Sequence, residues 1–347
     1  MDVYTVVSQQ SLRHAGPGAQ AAESAGYNGL MTMENAHDPF MPLAVAAVHT
    51  ERIALMTAIA IAFPRSPMVV ANTAWDLHEA SQGRFVLGIG PQVKGHNERR
   101  FSVPWSAPAP RLQEYVEALR AIWRTWMTGD KLDYRGEHYQ FTLMTPRFTP
   151  EPTGLPMVPV TISAVGPAML RLSGRVCDGV QLHPFCTRRY IDEVCLPRIE
   201  QGWGQSGRLR QHFNVIGGGF VATGPDEETV AKSMHEVRQR LGFYGSTRAY
   251  WPVLSLHGLD DLGEKLNRMA RDGQWEAMTS EVSDDVVRLF AAVGTHEHIV
   301  KEIDTRFGGV VDTLYTGLLP SGDTGLPPDL IQDIQRLPSA FERYASA

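Results

Sequence analysis

The side chains of this sequence able to do chemistry gather in a few short loops. Glu34, Asn35 and His37 follow an apolar run, in Glu34-Asn-Ala-His-Asp-Pro-Phe40. A carboxyl and an imidazole this close suit proton transfer, since surroundings can bring either group near neutral pH. Gly88 and Gly90 alternate at the end of a second run, 85–89, and lead through Pro91 and Gln92 to Asn97. Glycines at a strand end remove Cβ and let the backbone come close to a ligand. Ala164-Val165-Gly166-Pro167-Ala168-Met169 sets Gly then Pro at a helix start. Free N–H groups and the positive end of the helix dipole make such a start a phosphate site without any lysine or arginine. Gln181 and His183 close a further run, Asp178-Gly-Val-Gln-Leu-His183.

Other chemistries find no support. Cys177, Cys186 and Cys195 form no CxxC pair and read as reduced packing thiols. No G-x-S-x-G elbow or P-loop occurs, which removes serine hydrolase and NTPase chemistry. Glu34 and His37 have helical ligand spacing but sit in a loop, and His296 and His298 would point to different faces of a helix. No metal is therefore expected. The net charge of −6, with lysine and arginine scattered, argues against nucleic acid or anionic membrane as a partner. The longest apolar run, 53–63, is about half a membrane span. Without a basic, apolar leader at Met1, the expectation is a soluble cytoplasmic protein.

The elements that must position these loops alternate. Strands are expected at 2–8, 29–34, 53–61, 85–89, 158–163, 178–183, 213–222, this one with a Gly217-Gly218-Gly219 break inside it, and 310–315. Helices are expected between them, at 19–25, 42–49, 65–79, 111–127, one that starts within 164–169 and ends at 173–176, 191–201, after Asp226 and after Thr295, with a closing helix at 330–344. The helix 111–127 carries Leu112, Val116, Leu119, Ile122, Trp123 and Trp126 at helical spacing, the pattern of a core-facing stripe. Eight strands alternating with helices predict a single-domain (β/α)8 TIM barrel over 1–347, with insertions after strands four and seven, about 98–157 and 243–284. A doubly wound sheet competes, but no GxGxxG follows the first strand. In a barrel the strand ends converge, so the loops above would share one mouth.

Four ordered stretches carry a resemblance. Ala80-Ser-Gln-Gly-Arg-Phe-Val-Leu-Gly-Ile-Gly90 resembles the strand-four signature of the bacterial luciferase-like superfamily. Thr57-Ala-Ile-Ala-Ile-Ala-Phe-Pro-Arg-Ser-Pro67, Ile162-Ser-Ala-Val-Gly-Pro-Ala168 and Cys177-Asp-Gly-Val180 are similar to further parts of it, in order from about residue 20 to 320. Within it the sequence looks closest to the branch using the deazaflavin coenzyme F420 in place of FMN. The resemblance implies a ring over the ends of strands three and four, against Glu34, Asn35, Ala58, Ile59, Gly90, Pro91, Gln92 and Asn97. It implies a non-proline cis peptide at Ala58-Ile59 and a phosphate on the backbone of residues 164–169. Two departures touch the ring: Glu34-Asn35 stand where many relatives carry Asp-His, and Pro91-Gln92 replace Thr-Gly or Gly-Gly.

These readings lead to an oxidoreductase that moves a hydride between F420 and a small organic substrate. Glu34 or His37 would supply the proton, and Phe40, Trp105, His183, Tyr244 and Trp251 would form an apolar substrate pocket. Lys94, Arg99 and Arg100 could meet the acidic F420 tail. The alternatives are an FMN-dependent monooxygenase on the same barrel and a barrel that only binds. A homodimer is what the family suggests.

Overall fold

The computed structural model describes residues 1–7, 9–316 and 325–345, so Ser8, the last residue of the first expected strand, lies outside them. Strands run β1 Asp2–Val6, β2 Gly29–Thr32, β3 Ala54–Thr57, β4 Ala60–Ile61, β5 Phe85–Gly90, β6 Tyr134–Arg135 and β7 Gln140–Phe141. They continue as β8 Val160–Ala164, β9 Gly179–Leu182, β10 Asn214–Gly217, β11 Phe220–Gly224, β12 Ala291–Thr295 and β13 Thr313–Tyr315. β3, β2, β1, β13, β10, β9, β8 and β5 are hydrogen-bonded in that order, and β5 pairs back onto β3. The pairings β1–β13, β2–β3, β3–β5 and β5–β8 are parallel. With helices on the crossovers this is a closed (β/α)8 barrel.

Local sequence explains the elements. Every residue of β2 and β5 is buried, the continuous apolar run expected of strands covered on both faces. Helix Leu12–Ala25 opens on Ser11, whose hydroxyl accepts from the Arg13 N–H, and closes on Gly26 at φ 94°. Helix Pro67–Ala80 has Ser66 as its N-cap, with proline in the first turn where no donor is lost. Among the described residues no helix is long and apolar enough to cross a membrane.

Four elements depart from the sequence expectation. The third strand is not continuous: β3 and β4 are separated by the cis peptide Ala58-Ile59. The seventh splits as well. Gly217 and Gly218, at φ 77° and 92°, turn the chain between β10, which stays in the barrel, and β11. β11 pairs in parallel with β12, a strand unforeseen because Ala-Ala-Val-Gly-Thr carries little β-branched bulk. The closing helix is shorter than expected, Pro328–Gln335, since Pro338 disfavours helix at the residue before it. His296 and His298 precede helix Ile299–Phe307 rather than lying within it.

The chain divides into two compact units. One comprises Met1–Thr5, Leu182–Arg198 and Val215–Phe341. Its centre holds a buried arginine: Arg306 Nη2 donates to the carbonyls of Cys186 and Gly218 at 2.5 and 2.9 Å. Burial lowers its pKa to about 10. Gly219 makes room for that guanidinium, because a Cβ there would stand 2.4 Å from Nη2. Cys186 and Cys195 are buried thiols of this unit; their mutual hydrogen bond, then burial, pushes Cys195 far up.

The other unit comprises Val6–Gln181, Ile199–Asn214 and Glu342–Ala347. Two side chains organise its frame. Arg84, of the strand-four motif, donates to the carbonyls of Ala47, Thr50 and Ile53 and to the Thr50 hydroxyl, tying the end of helix Phe40–Ala47 to the start of β3. Asp178 accepts from Arg120 at 2.8 Å, from Arg208 at 2.7 Å and from the Val160 N–H at 2.8 Å. Cys177 beside it is fully buried, which pushes its thiol up to about 12. The hairpin β6–β7 is held by Glu114, whose carboxylate accepts from the N–H groups of Glu137, His138 and Tyr139.

Removing the Asp178 carboxylate leaves two part-buried guanidinium groups without their partner. Asp178→Ala is expected to cost about 3 kcal/mol, the lower end for breaking a buried ion pair. Urea unfolding of the variant beside the unaltered protein measures it.

Candidate active site

The site begins where β3 is interrupted. Glu34, just beyond β2, receives the break: its Oε2 accepts from the Ile61 N–H at 2.7 Å, and both carboxylate oxygens accept from Arg65 Nη1, at 2.7 and 2.9 Å. Its own N–H donates to the Ile59 carbonyl at 3.4 Å. Arg65 also donates to the Ile61 carbonyl and, through Nη2, to Asp38 at 3.1 Å. The other oxygen of Asp38 accepts from the N–H groups of Phe40 and Met41 and so caps helix Phe40–Ala47. One guanidinium thus joins the loop after β2 to the loop after β4. It is a charge-assisted clamp with both carboxylates on a single arginine.

Beneath the clamp the barrel interior is polar. Thr57, fully buried at the end of β3, donates its hydroxyl to the Gly88 carbonyl at 2.7 Å and accepts from the Gly88 N–H at 2.9 Å. Gln181 donates to the Thr57 carbonyl at 3.0 Å and to the Thr161 hydroxyl at 2.9 Å. Gly88 is obligatory, since a Cβ would lie 1.9 Å from the Thr57 carbonyl oxygen. A Cβ at Gly90 would meet Ser163 Oγ at 2.4 Å and Ile59 Cδ1 at 2.9 Å. Ile59, on the cis peptide, therefore lies directly against the glycine that ends β5.

Beyond Gly90, Gln92 takes a positive φ of 58° and receives the Val93 N–H on its side-chain oxygen. Asn97 is fully buried, donating to the carbonyls of Pro91 and Val93, while its Oδ1 has no partner among the described residues. A buried acceptor left open calls for a donor from something else in the site. Ala164 ends β8 and leads to helix Pro167–Val176, whose N-cap Gly166 has no side-chain cap. Open space surrounds Gly166: nothing stands within 4 Å of where a Cβ would be. Pro167 and Ala168 are exposed, and Val165 and Met169 partly so.

The residues expected around these fall out differently. His37 and Asn35 are exposed; the Asn35 carbonyl accepts from Arg100 at 2.6 Å. Phe40 is buried beneath the Arg65 guanidinium, 5.6 Å from ring centroid to Cζ. Trp105 meets the edge of Phe63, and Phe63 lies 4.3 Å beneath Arg111. Lys94 is well exposed and faces Glu98 at 3.8 Å. Arg99 is exposed too.

In the other unit His183, just past β9, has an aromatic cage. Tyr250 stacks on it and Tyr244 meets it edge-on, both at 4.5 Å. The Phe185 N–H donates to His183 Nδ1 at 3.0 Å, and Nε2 stands 3.3 Å from the Tyr250 hydroxyl. Burial lowers the His183 pKa to about 4, so the ring is neutral near pH 7. Trp251 spends its indole N–H on the Gly245 carbonyl at 3.0 Å and packs on Gly263.

The sequence reading missed three participants. Arg65 was visible only as part of a quoted motif, and Asp38 as part of a loop. Tyr250 had no signal at all, since its meaning comes from the stack on His183.

Comparisons with known proteins fit this geometry. A family model described as luciferase-like monooxygenase matches residues 2–313. The chain is 46% identical over 301 residues to the uncharacterized protein Rv1360 of Mycobacterium tuberculosis, covering 87% of this chain and 88% of that one. It is 27% identical over 292 residues to 5,10-methylenetetrahydromethanopterin reductase of Archaeoglobus fulgidus, covering 82% of each. Among solved structures, the coenzyme F420 dependent tetrahydromethanopterin reductase of Methanopyrus kandleri superposes with a TM-score of 0.77 at 19% identity, over 97% of both chains.

Two expectations follow from the geometry. Gly88→Ala forces a methyl onto the Thr57 backbone, and soluble expression should fall sharply or thermal unfolding shift down by several degrees; a normal melting curve would contradict the close approach. The second concerns pH. With His183 held to about 4 in the fold against an ordinary 6.5, the unfolded chain takes up a proton here that the folded chain refuses. Stability therefore falls as pH drops through that window, by at most about 1.4 kcal/mol per pH unit from this ring. Urea unfolding across the window should show a shallower loss for His183→Phe.

Proposed function

Because the chain belongs to the luciferase-like monooxygenase family, we propose that it is an oxidoreductase moving a hydride between coenzyme F420 and a small organic substrate. The observation that carries the reading is the set of strand ends gathered in one unit. Ile59 on its cis peptide lies against Gly90, Asn97 has an open buried acceptor, and the helix start at Gly166 is uncapped in open space. The residues present fit a flat heterocycle joined to a phosphate. Ala58, Ile59, Gly90, Pro91, Gln92 and Asn97 would hold the ring, and the backbone of residues 164–169 the phosphate. Bound there, the deazaflavin would supply two-electron hydride chemistry. The named relatives that use F420 or reduce a pterin support the choice of cofactor.

This chain's own residues then divide the work. Glu34 has its carboxylate committed to Arg65 and the Ile61 amide, so we assign it to holding the bulge that carries Ile59. His37 is an exposed titratable group of that loop that holds no ion pair among the described residues, and we assign proton exchange with the substrate side to it. Thr57 and Gln181 fix the end of β3 from below. An FMN-dependent monooxygenase is the second reading, since the family is described as a monooxygenase and the same ring and phosphate cradle would accept FMN.

A fluorescence titration of the purified protein with F420 and, separately, FMN separates the two. Tight F420 binding with at least about tenfold weaker FMN binding, a difference of about 1.4 kcal/mol, is expected; the reverse order would move the protein to oxygen chemistry. Gly166→Glu sets a carboxylate at the helix start without a steric conflict. It should weaken F420 binding roughly tenfold while the melting temperature holds. An unchanged affinity would put the phosphate elsewhere.

A further inference from the structure

His183 and Tyr250 form a pair whose hydrogens can be assigned. His183 Nδ1 accepts the Phe185 N–H at 3.0 Å, so in the neutral ring the proton is on Nε2. Nε2 then donates to the Tyr250 oxygen at 3.3 Å. That leaves the phenolic hydrogen of Tyr250 without an acceptor among the described residues. Burial pushes the Tyr250 hydroxyl up to about 12, so it keeps this hydrogen at any working pH. Stacking on His183 and the edge of Tyr244 fix the ring, so the free O–H direction is set before anything binds.

The surroundings favour negative charge. Arg240 has a buried Nη1 with no partner among the described residues, and its charge bears on both Tyr244 and Tyr315. His183 follows the last residue of β9, and Tyr315 ends β13, the strand ends at which barrels bind ligands.

We propose that Tyr250, oriented by His183, is a hydrogen-bond donor to an oxyanion carried on a flat, apolar ligand, such as the oxygen of a phenolate or enolate. The ligand class follows from a preset O–H flanked by the Tyr244 ring and the Arg240 charge. His183 is a positioning residue, since it acts through Tyr250.

The test needs no cofactor. 4-Nitrophenolate carries an oxyanion on a flat ring, and its visible absorption shifts when the oxygen accepts a hydrogen bond. Titrated into the cofactor-free protein, it should bind with that shift, and Tyr250→Phe should weaken it about tenfold or more and abolish the shift. His183→Phe, which keeps a stacked ring but no donor, should reduce the shift while leaving some binding. Equal affinity and spectrum in Tyr250→Phe would overturn the proposal.

Discussion

The grip of Glu34 on Arg65 and on the Ile61 amide is the interaction on which the candidate site depends. A parallel barrel strand broken after Thr57 leaves backbone groups that its neighbours cannot satisfy, and buried amides without partners are costly. Glu34 takes up the Ile61 N–H, its own N–H reaches the Ile59 carbonyl, and Arg65 returns to the Ile61 carbonyl. One side chain and its counter-ion thereby bond much of the break, with the Ala58 N–H reaching the Thr32 carbonyl and Gln181 the Thr57 carbonyl. Ile59 can then lean on Gly90 instead of being drawn into regular pairing with β5. Asp38 shares the same arginine, so the loop after β2 and the first turn of helix Phe40–Ala47 are set by the same charge.

Much of this was legible in the sequence, though unevenly. Alternation of apolar runs with amphipathic helices carried the barrel, because each strand is buried on both faces and each crossover helix on one. Gly88 and Gly90 were legible as a close approach, although the contact is made by the protein's own Thr57, Ser163 and Ile59. The break at Ala58-Ile59 could not be read from periodicity, since 53–61 is apolar apart from Thr57; only the resemblance suggested it. Glu34 looked like a proton donor because a carboxyl in a strand-end loop commonly is one. Its bond to Arg65, thirty-one residues on, is a tertiary fact with no local sequence signal. β12 escaped for the opposite reason, being made of small residues that local propensity assigns to loops.

The two units use arginine in contrasting ways. In one, Arg65 and Arg84 are part-buried and multiply bonded, the first to carboxylates and the second to neutral carbonyls. In the other, Arg306 is buried on two carbonyls, its Nε without a partner among the described residues. Planar guanidinium suits all three, since several donors in one plane can reach acceptors from different chain segments at once. Lysine in any of these places would satisfy one acceptor well and strand the others.

The buried thiols have a practical consequence. Cys177 belongs to one unit, and Cys186 and Cys195 to the other, all three out of reach of solvent. Burial of Cys177, and for Cys195 the Cys186 contact and then burial, disfavour the thiolate that alkylating reagents attack. Alkylation of each cysteine must then wait for its own surroundings to open. Peptide-resolved labelling rates become two clocks in one chain, each timing the local breathing of a different half of the molecule.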